Sequence, residues 1–373
     1  MDSTMADLLA TATDPAPAIN KWKGQTQGAV IGYLPIYVPE EIVHAAGALP
    51  VGLWGGNTQI DQATAHLQVF ACSIVRAVLE YALKGTYDMV DGFVFPSTCD
   101  HIQNTADVWA KILPSKPKFD LVYPANRKSK GAKEYLLRLY AEFRVWVEEI
   151  SGANIDVSRL QASIEVYNNH RKLMNRLSRL RAERPVSLTA REMAGIVKAS
   201  QFMPKEEFDQ QLELLLPWLE RRIVREPPNT RLVLAGIMAE PEEILDIVEE
   251  LGGAVVGDDL ALGDRLYRIA VNERIAPFEA LAERHLEIGP CSTLFDPNKE
   301  RGACLKEIVQ KTNADGVVFI NMQFCELEEF DFPILKWELE QARIPLLFLE
   351  TGQQTSSFSQ IRTRLQAFIE MVS

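Results

Sequence analysis

Two cysteines set in matching surroundings are the first sign of chemistry in this sequence. The run Asp91-Gly92-Phe93-Val94-Phe95-Pro96-Ser97-Thr98-Cys99-Asp100 carries a turn, an apolar stretch of strand character and then a cysteine. Far downstream, Asp315-Gly316-Val317-Val318-Phe319-Ile320-Asn321-Met322-Gln323-Phe324-Cys325 repeats that order. In an open parallel sheet, ligands bind beyond the carboxyl ends of the strands. The repeat therefore predicts two similar α/β domains that face each other and bring both sulfurs to one object. Thiolates converging in a reducing compartment are metal ligands. Cys72 is a third candidate, inside or near the start of a helix expected over residues 63–83, and Cys291 and Cys304 complete the set of five. Each cysteine taken singly also reads as a small buried hydrophobe, so the echoed context carries the weight. Zinc is disfavoured, because no Cys-x-x-Cys pair supplies the close spacing of a closed zinc site.

Acid–base candidates lie close by in the sequence. His101 stands two residues after Cys99. Tyr33, Tyr37 and Glu40 follow the first expected strand, where a crevice residue could transfer a proton. Glu40 and Glu41 also read as carboxylates at the positive end of a helix dipole. Arg76, Lys84, Arg127, Lys128 and Lys130 could form a local basic pocket for a phosphorylated cofactor, or simply a solvated charged face.

These residues need elements to position them, and the pattern supplies strands and helices in alternation. Strands are expected at 29–33, 49–54, 92–95 and 119–123, with helices from Pro39 to Gly47, over 63–83 and over 102–113. That alternation implies parallel pairing with right-handed crossovers. Residues 132–226 change to helix after helix, including a Thr189-x-x-Glu192 capping box. Beyond Pro227-Pro228 the alternation resumes, with strands at 232–237, 254–256, 316–320 and 345–350 and helices at 241–251, 306–313 and 357–371. The expected organisation is an N-terminal extension (1–25), a first α/β domain (26–131) with Cys72 and Cys99, a helical module (132–226), and a second α/β domain (227–373) with Cys325.

Composition narrows the function classes. The chain has 373 residues, 47% hydrophobic and 24% charged, which suits a globular protein of two or three domains. A net charge of −12 argues against nucleic acid as a partner. No secretory leader and no membrane-length apolar run is visible, so a cytoplasmic location is expected. No phosphate loop, no dinucleotide fingerprint and no Gly-x-Ser-x-Gly occurs, so ATP hydrolysis, ordinary dinucleotide binding and serine hydrolysis are not signalled.

The run from Gly32 to Pro50, with Tyr33, Pro35, Tyr37, Pro39, Glu40 and Glu41, together with Phe95-Pro96-Ser97-Thr98-Cys99-Asp100 and Gln323-Phe324-Cys325, resembles the benzoyl-CoA reductase and 2-hydroxyacyl-CoA dehydratase family over nearly the whole chain. Its length and the segment from Tyr123 to Arg127 look most like the smaller, C-type subunit of the ATP-dependent reductases. The resemblance implies two flavodoxin-like parallel-sheet domains plus a helical module. It also implies a 4Fe-4S cluster held by Cys72, Cys99 and Cys325, with a non-cysteine fourth position. Implied partners are a larger homologous subunit, ATP-hydrolysing activator subunits and a ferredoxin-type electron donor. The implied activity is single-electron reduction of an aromatic acyl-CoA. The alternatives are a subunit of a 2-hydroxyacyl-CoA dehydratase, which expels a hydroxyl through a radical, and a non-catalytic scaffold subunit. On this reading Glu40, Tyr37 and His101 are the catalytic candidates, and Tyr33 and Arg127 are the candidates for contact with CoA.

Overall fold

Each of the two Asp-Gly-led apolar runs becomes a central strand of its own four-stranded parallel sheet. The computed structural model describes residues 2–373. The first sheet contains β1 (Val30–Tyr33), β2 (Leu49–Gly52), β3 (Gly92–Pro96) and β4 (Lys118–Leu121), in the order β2-β1-β3-β4. The second contains β5 (Thr230–Gly236), β6 (Gly253–Leu260), β7 (Gly316–Met322) and β8 (Leu346–Thr351), in the order β6-β5-β7-β8. The two orders are the same, and each is that of a flavodoxin-like sheet. Central strands of parallel sheets must be covered on both faces, which explains why β3 is an unbroken apolar run, β7 is apolar but for Asn321, and both are buried along their whole length. The architecture is α/β: two flavodoxin-like sheets with helices packed around them.

The helices of the first half are α1 (Asp2–Thr13), α2 (Ala16–Thr26), α3 (Glu40–Ala45), α4 (Ser73–Leu83) and α5 (Asp100–Ile112). Four helices then follow in direct succession: α6 (Ala132–Ser151), α7 (Val157–Glu183), α8 (Ala190–Ala199) and α9 (Lys205–Leu219). The second half adds α10 (Glu243–Glu250), α11 (Pro277–Glu287), α12 (Arg301–Thr312), α13 (Glu326–Gln341) and α14 (Ser359–Val372). The expected capping box at Thr189 and Glu192 is present in full at the start of α8. Gly47 takes a positive φ of 73° just past α3, where a side chain would be strained.

Two local expectations change. The helix expected over 63–83 is split: a short 3-10 turn at Gln62–Ala65, an irregular stretch, and then α4, with Cys72 as its N-cap. The cause is Glu80, which is fully buried and whose Oε2 accepts from the backbone N–H groups of Asp61 (3.1 Å) and Ala63 (2.8 Å), pinning the 3-10 turn against α4. The helix expected over 306–313 starts earlier, at Arg301, because Asp296 accepts from the backbone N–H groups of Asn298 and Glu300 and seeds its first turn. The N-terminal residues fold as α1 and α2, whose Met5, Leu8, Ala12 and Ile19 are buried in the main core.

Helix α7 ties the halves together through buried ion pairs. Its Arg171 pairs with Glu41 of α3, and its Arg181 donates to Asp258 of β6 at 2.8 Å. All four side chains are at most 6% exposed.

Candidate active site: three cysteines around one cavity

Cys99 and Cys325 occupy equivalent places in the two sheets, each at the end of the strand third in its sheet's order. At Cys99 the chain leaves β3 extended (φ −155°, ψ 163°) and enters α5, whose first turn begins with Asp100. At Cys325 a tight turn does the same work. The Cys325 N–H donates to the Met322 carbonyl at 2.8 Å, and Phe324 takes a left-handed φ of 65°, so that α13 starts directly after the cysteine. Cys72 comes from the neighbouring helix on the same face of the first sheet, as the extended N-cap of α4 (φ −60°, ψ 152°).

All three cysteines therefore sit at helix N-termini, where backbone N–H groups lack partners within the helix. At Cys72 the N–H groups of Ile74 and Val75 face the sulfur, at Cys99 those of His101 and Ile102, and at Cys325 that of Glu328. The positive ends of three helix dipoles thus meet around negative charge placed on the sulfurs.

The three cysteines line one cavity of about 330 Å³. Part of the remaining wall comes from residues just beyond the strand ends of both sheets: Leu34 and Ile36 after β1, Trp54 after β2, Ile237 after β5 and Ala261 after β6. This is the crevice position expected for a ligand in parallel-sheet proteins, here shared between two sheets. Gln353, 2% exposed, clasps the sheets behind the cavity. Its amide donates to the Trp54 carbonyl (2.8 Å) and to the Glu240 carboxylate (2.6 Å), while its carbonyl accepts from the Gly56 N–H at 3.1 Å.

Thiol electrostatics follow from this burial. Cys99 is pushed up to about 12, first by loss of water and then by the charge of Cys72. Cys325 is raised strongly by burial, then by Glu328, Cys72 and Cys99; Cys72 is raised by burial, partly offset by the N–H groups of its helix. Cys99 feels the charge of Cys72, and Cys325 that of both, so three thiolates crowded together are unstable unless a cation compensates them. Among the described residues no three His, Cys, Asp or Glu side chains close on a single ion. The sulfurs instead surround a volume. Soft donors spread around a cavity, with helix N-termini behind them, fit a polynuclear iron-sulfur group better than one tetrahedral ion.

The other predicted site residues have these placements. His101 is half-buried and lines the cysteine cavity. Tyr37 and Glu40 instead line a small separate cavity beneath it, with Tyr167, Gln201 and Lys205. There Glu40 accepts from the Tyr167 hydroxyl (3.2 Å) and pairs with Lys205 (3.3 Å). Tyr33 is buried and donates to Gln201 at 2.7 Å. Arg127 donates to the carbonyls of His285, Leu286 and Ile288, closing the C-terminal end of α11. Of these residues only His101 shares a cavity with the cysteines. Cys291 and Cys304 lie outside it, each receiving an arginine N–H: Arg265 to Cys291 at 3.1 Å and Arg268 to Cys304 at 3.3 Å.

Sequence reasoning did not single out the buried ionic group beside Cys325. Asp259, Arg265, Arg301 and Glu328 are all at most 5% exposed. Arg265 donates to both Asp259 oxygens (3.0 and 2.7 Å), and Arg301 bridges Asp259 (3.0 Å) to Glu328 (2.7 Å). Its members span nearly seventy positions of sequence, and their only local signal is charge density beside apolar strands.

Known proteins can now be set beside this geometry. The profile of the family described as 2-hydroxyglutaryl-CoA dehydratase, D-component, matches residues 35–372. The chain belongs to that family. A relative of 35% identity, spanning 99% of this chain and 98% of its own, is the (R)-phenyllactyl-CoA dehydratase beta subunit of Clostridium sporogenes. The lactoyl-CoA dehydratase subunit beta of Anaerotignum propionicum is 33% identical over 100% of this chain and 99% of its own. The C-type subunit of the benzoyl-CoA reductase of Thauera aromatica is 29% identical over 95% of this chain and 94% of its own. The D-component family thus includes subunits of both acyl-CoA dehydratases and an acyl-CoA reductase, and each of these relatives bears the name of one subunit of a larger enzyme. Among the described residues no helix is long and apolar enough to cross a membrane.

Proposed function

We propose that this chain is the iron-sulfur subunit of a 2-hydroxyacyl-CoA dehydratase, with a 4Fe-4S cluster held by Cys72, Cys99 and Cys325. The observation that carries the reading is the meeting of three helix-capping cysteines around one cavity. The dehydratase reading is preferred to aromatic reduction because dehydratase beta subunits match at 35% and 33% identity, against 29% for the reductase subunit. Reduction of an aromatic acyl-CoA stays as the second reading, since the reductase subunit still aligns over 95% of this chain.

When bound, such a cluster supplies single electrons of low potential. The chain's own residues do the rest. Three sulfurs anchor the group, and the N-termini of α4, α5 and α13 offset its negative charge. Leu34, Ile36, Trp54, Ile237 and Ala261 keep water from the cavity wall and so sharpen every charge inside it. His101 is the side chain we assign to proton handling, because it reaches the cavity. Tyr33, Tyr37 and Glu40 support the β1 edge from below, and Arg127 fastens α11. The sequence has no phosphate loop, so ATP hydrolysis falls to separate activator subunits, with a ferredoxin-type donor behind them and a larger homologous subunit alongside.

The test uses the chain purified anaerobically with its partner subunits. Conversion of a 2-hydroxyacyl-CoA to the enoyl-CoA, slowed by His101→Gln with iron content unchanged, is the expected result. Reduction of benzoyl-CoA with no dehydration would establish the second reading instead. Iron-free protein that merely holds the complex together would make the chain a scaffold.

A further inference from the structure

The three cysteines share a cavity but not an electrostatic setting. The turn after Cys72 reads Ser73-Ile74-Val75-Arg76 and contains no carboxylate. The turn after Cys99 begins with Asp100, which is exposed to water and screened by it. The turn after Cys325 carries Glu326, Glu328 and Glu329, and Glu328 is fully buried. Its N–H donates to the Cys325 carbonyl at 3.0 Å, which fixes it one turn from that cysteine. The carboxylate accepts from Arg301 (2.7 Å) and from the Ser292 hydroxyl (2.8 Å). Arg301 is itself shared with Asp259 (3.0 Å) and Asp331 (3.3 Å), and Arg265, bound closely to Asp259, reaches the other Glu328 oxygen only at 3.9 Å, so the two guanidiniums neutralise Glu328 only in part.

We propose that Glu328 is a positioning residue that lowers the reduction potential of the iron-sulfur group bound at Cys325, by fixing a negative charge beside it that is shut off from water and only partly neutralised. The inference rests on the cluster reading given above. Reduction adds one negative charge to the group. A buried carboxylate nearby opposes that charge and so favours the oxidised form, whereas the same charge in water would be screened. Net charge, hydrogen bonding and exposure around the sulfurs are the means by which a protein tunes such a potential. The Arg301–Asp259–Arg265 chain behind Glu328 supplies the counter-charge that a carboxylate inside a protein requires.

The experiment is a potentiometric titration, followed by electron paramagnetic resonance, of the anaerobically iron-loaded full chain. Glu328→Gln is expected to retain iron and to shift the midpoint to a more positive potential. Asp331→Asn, at the outer edge of the same network, should shift it less. Ser292→Ala, which removes a donor from the carboxylate without removing its charge, should shift it the other way, and it provides the test if the glutamine variant does not fold. Iron-loaded Glu328→Gln with an unmoved or more negative midpoint would overturn the inference and leave the cluster in place. A wild-type chain that binds no iron would overturn the cluster reading, and this inference with it.

Discussion

The two sheets have the same strand order and the same third strand running into a cysteine, yet their crevice ends are built from different materials. In the first half the helix leading back to the central strand, α4, is capped by Cys72, and the loop after that strand gives Cys99, so this half supplies two sulfurs in apolar surroundings. In the second half the corresponding helix, α12, begins at Arg301 and is preceded by Glu300. Where the first half has a sulfur, the second has an arginine locked to Asp259 and Glu328. The difference teaches that the duplicated sheet is only a frame. Chemistry is set by the few residues at the strand ends, and one frame can present either ligands or fixed charge.

If that contrast is right, the second half should be the more sensitive to loss of a charge. Asp259 is held well below the usual carboxylate range: burial pushes it up, but Arg265 and Arg301 overcome that. Asp259→Asn leaves Arg265, Arg268 and Arg301 without their shared partner, and a loss of about 3–5 kcal/mol in denaturant unfolding is expected. A loss below about 1 kcal/mol would mean that the network is not what holds the second crevice. Glu41→Gln should cost a similar, slightly smaller amount, on the order of 3 kcal/mol, since it frees one buried guanidinium, Arg171, rather than three.

The junction between the halves offers a smaller, pH-dependent effect. His285 of α11 stacks on Tyr123, which follows β4, with ring centroids 4.1 Å apart, and neither ring nitrogen has a hydrogen-bond partner among the described residues. Burial, and then the charges of Arg127 and Arg284, lower it to about 3. The unfolded chain takes up this proton below about pH 6.5 and the folded chain does not. Its stability contribution is therefore complete above about pH 6.5 and declines as the pH falls toward 3, with a slope approaching ~1.4 kcal/mol per pH unit. His285→Phe keeps the stacked ring and removes the proton site. Urea melts from pH 7 to pH 4 should show a flatter acid limb, and an unchanged slope would place the acid sensitivity elsewhere. The smallest effect is expected in the helical layer, which belongs to neither sheet. Thr189→Ala should cost about 1 kcal/mol through loss of the α8 cap.

Much of the frame was legible in the sequence because strands of a parallel sheet are local signals. The run at 92–96 is apolar throughout and that at 316–322 is apolar but for Asn321, since water reaches neither face. The repeated passage into a cysteine was legible for the same reason. What stayed hidden depends on contacts between distant positions. Cys72 reads as a helix interior until Glu80 is seen to hold back the chain at Asp61 and Ala63. Nothing in the periodicity near Glu40 or Tyr37 reveals that Glu40 pairs with Tyr167 and Lys205, or that Tyr37 lines the same separate cavity rather than that of Cys72, Cys99 and Cys325. The network of Asp259, Arg265, Arg301 and Glu328 joins segments that only the folded crevice brings together, and so it left no pattern to read.

The central claim, that Cys72, Cys99 and Cys325 serve one group, is tested most directly by iron and sulfide analysis of the anaerobically reconstituted chain and its five single cysteine-to-serine variants. The account predicts roughly four irons in the parent, severe loss in each of the variants at 72, 99 and 325, and near-parental content in those at 291 and 304. Full iron in the Cys72 or Cys325 variant, or loss confined to Cys291 or Cys304, would contradict it.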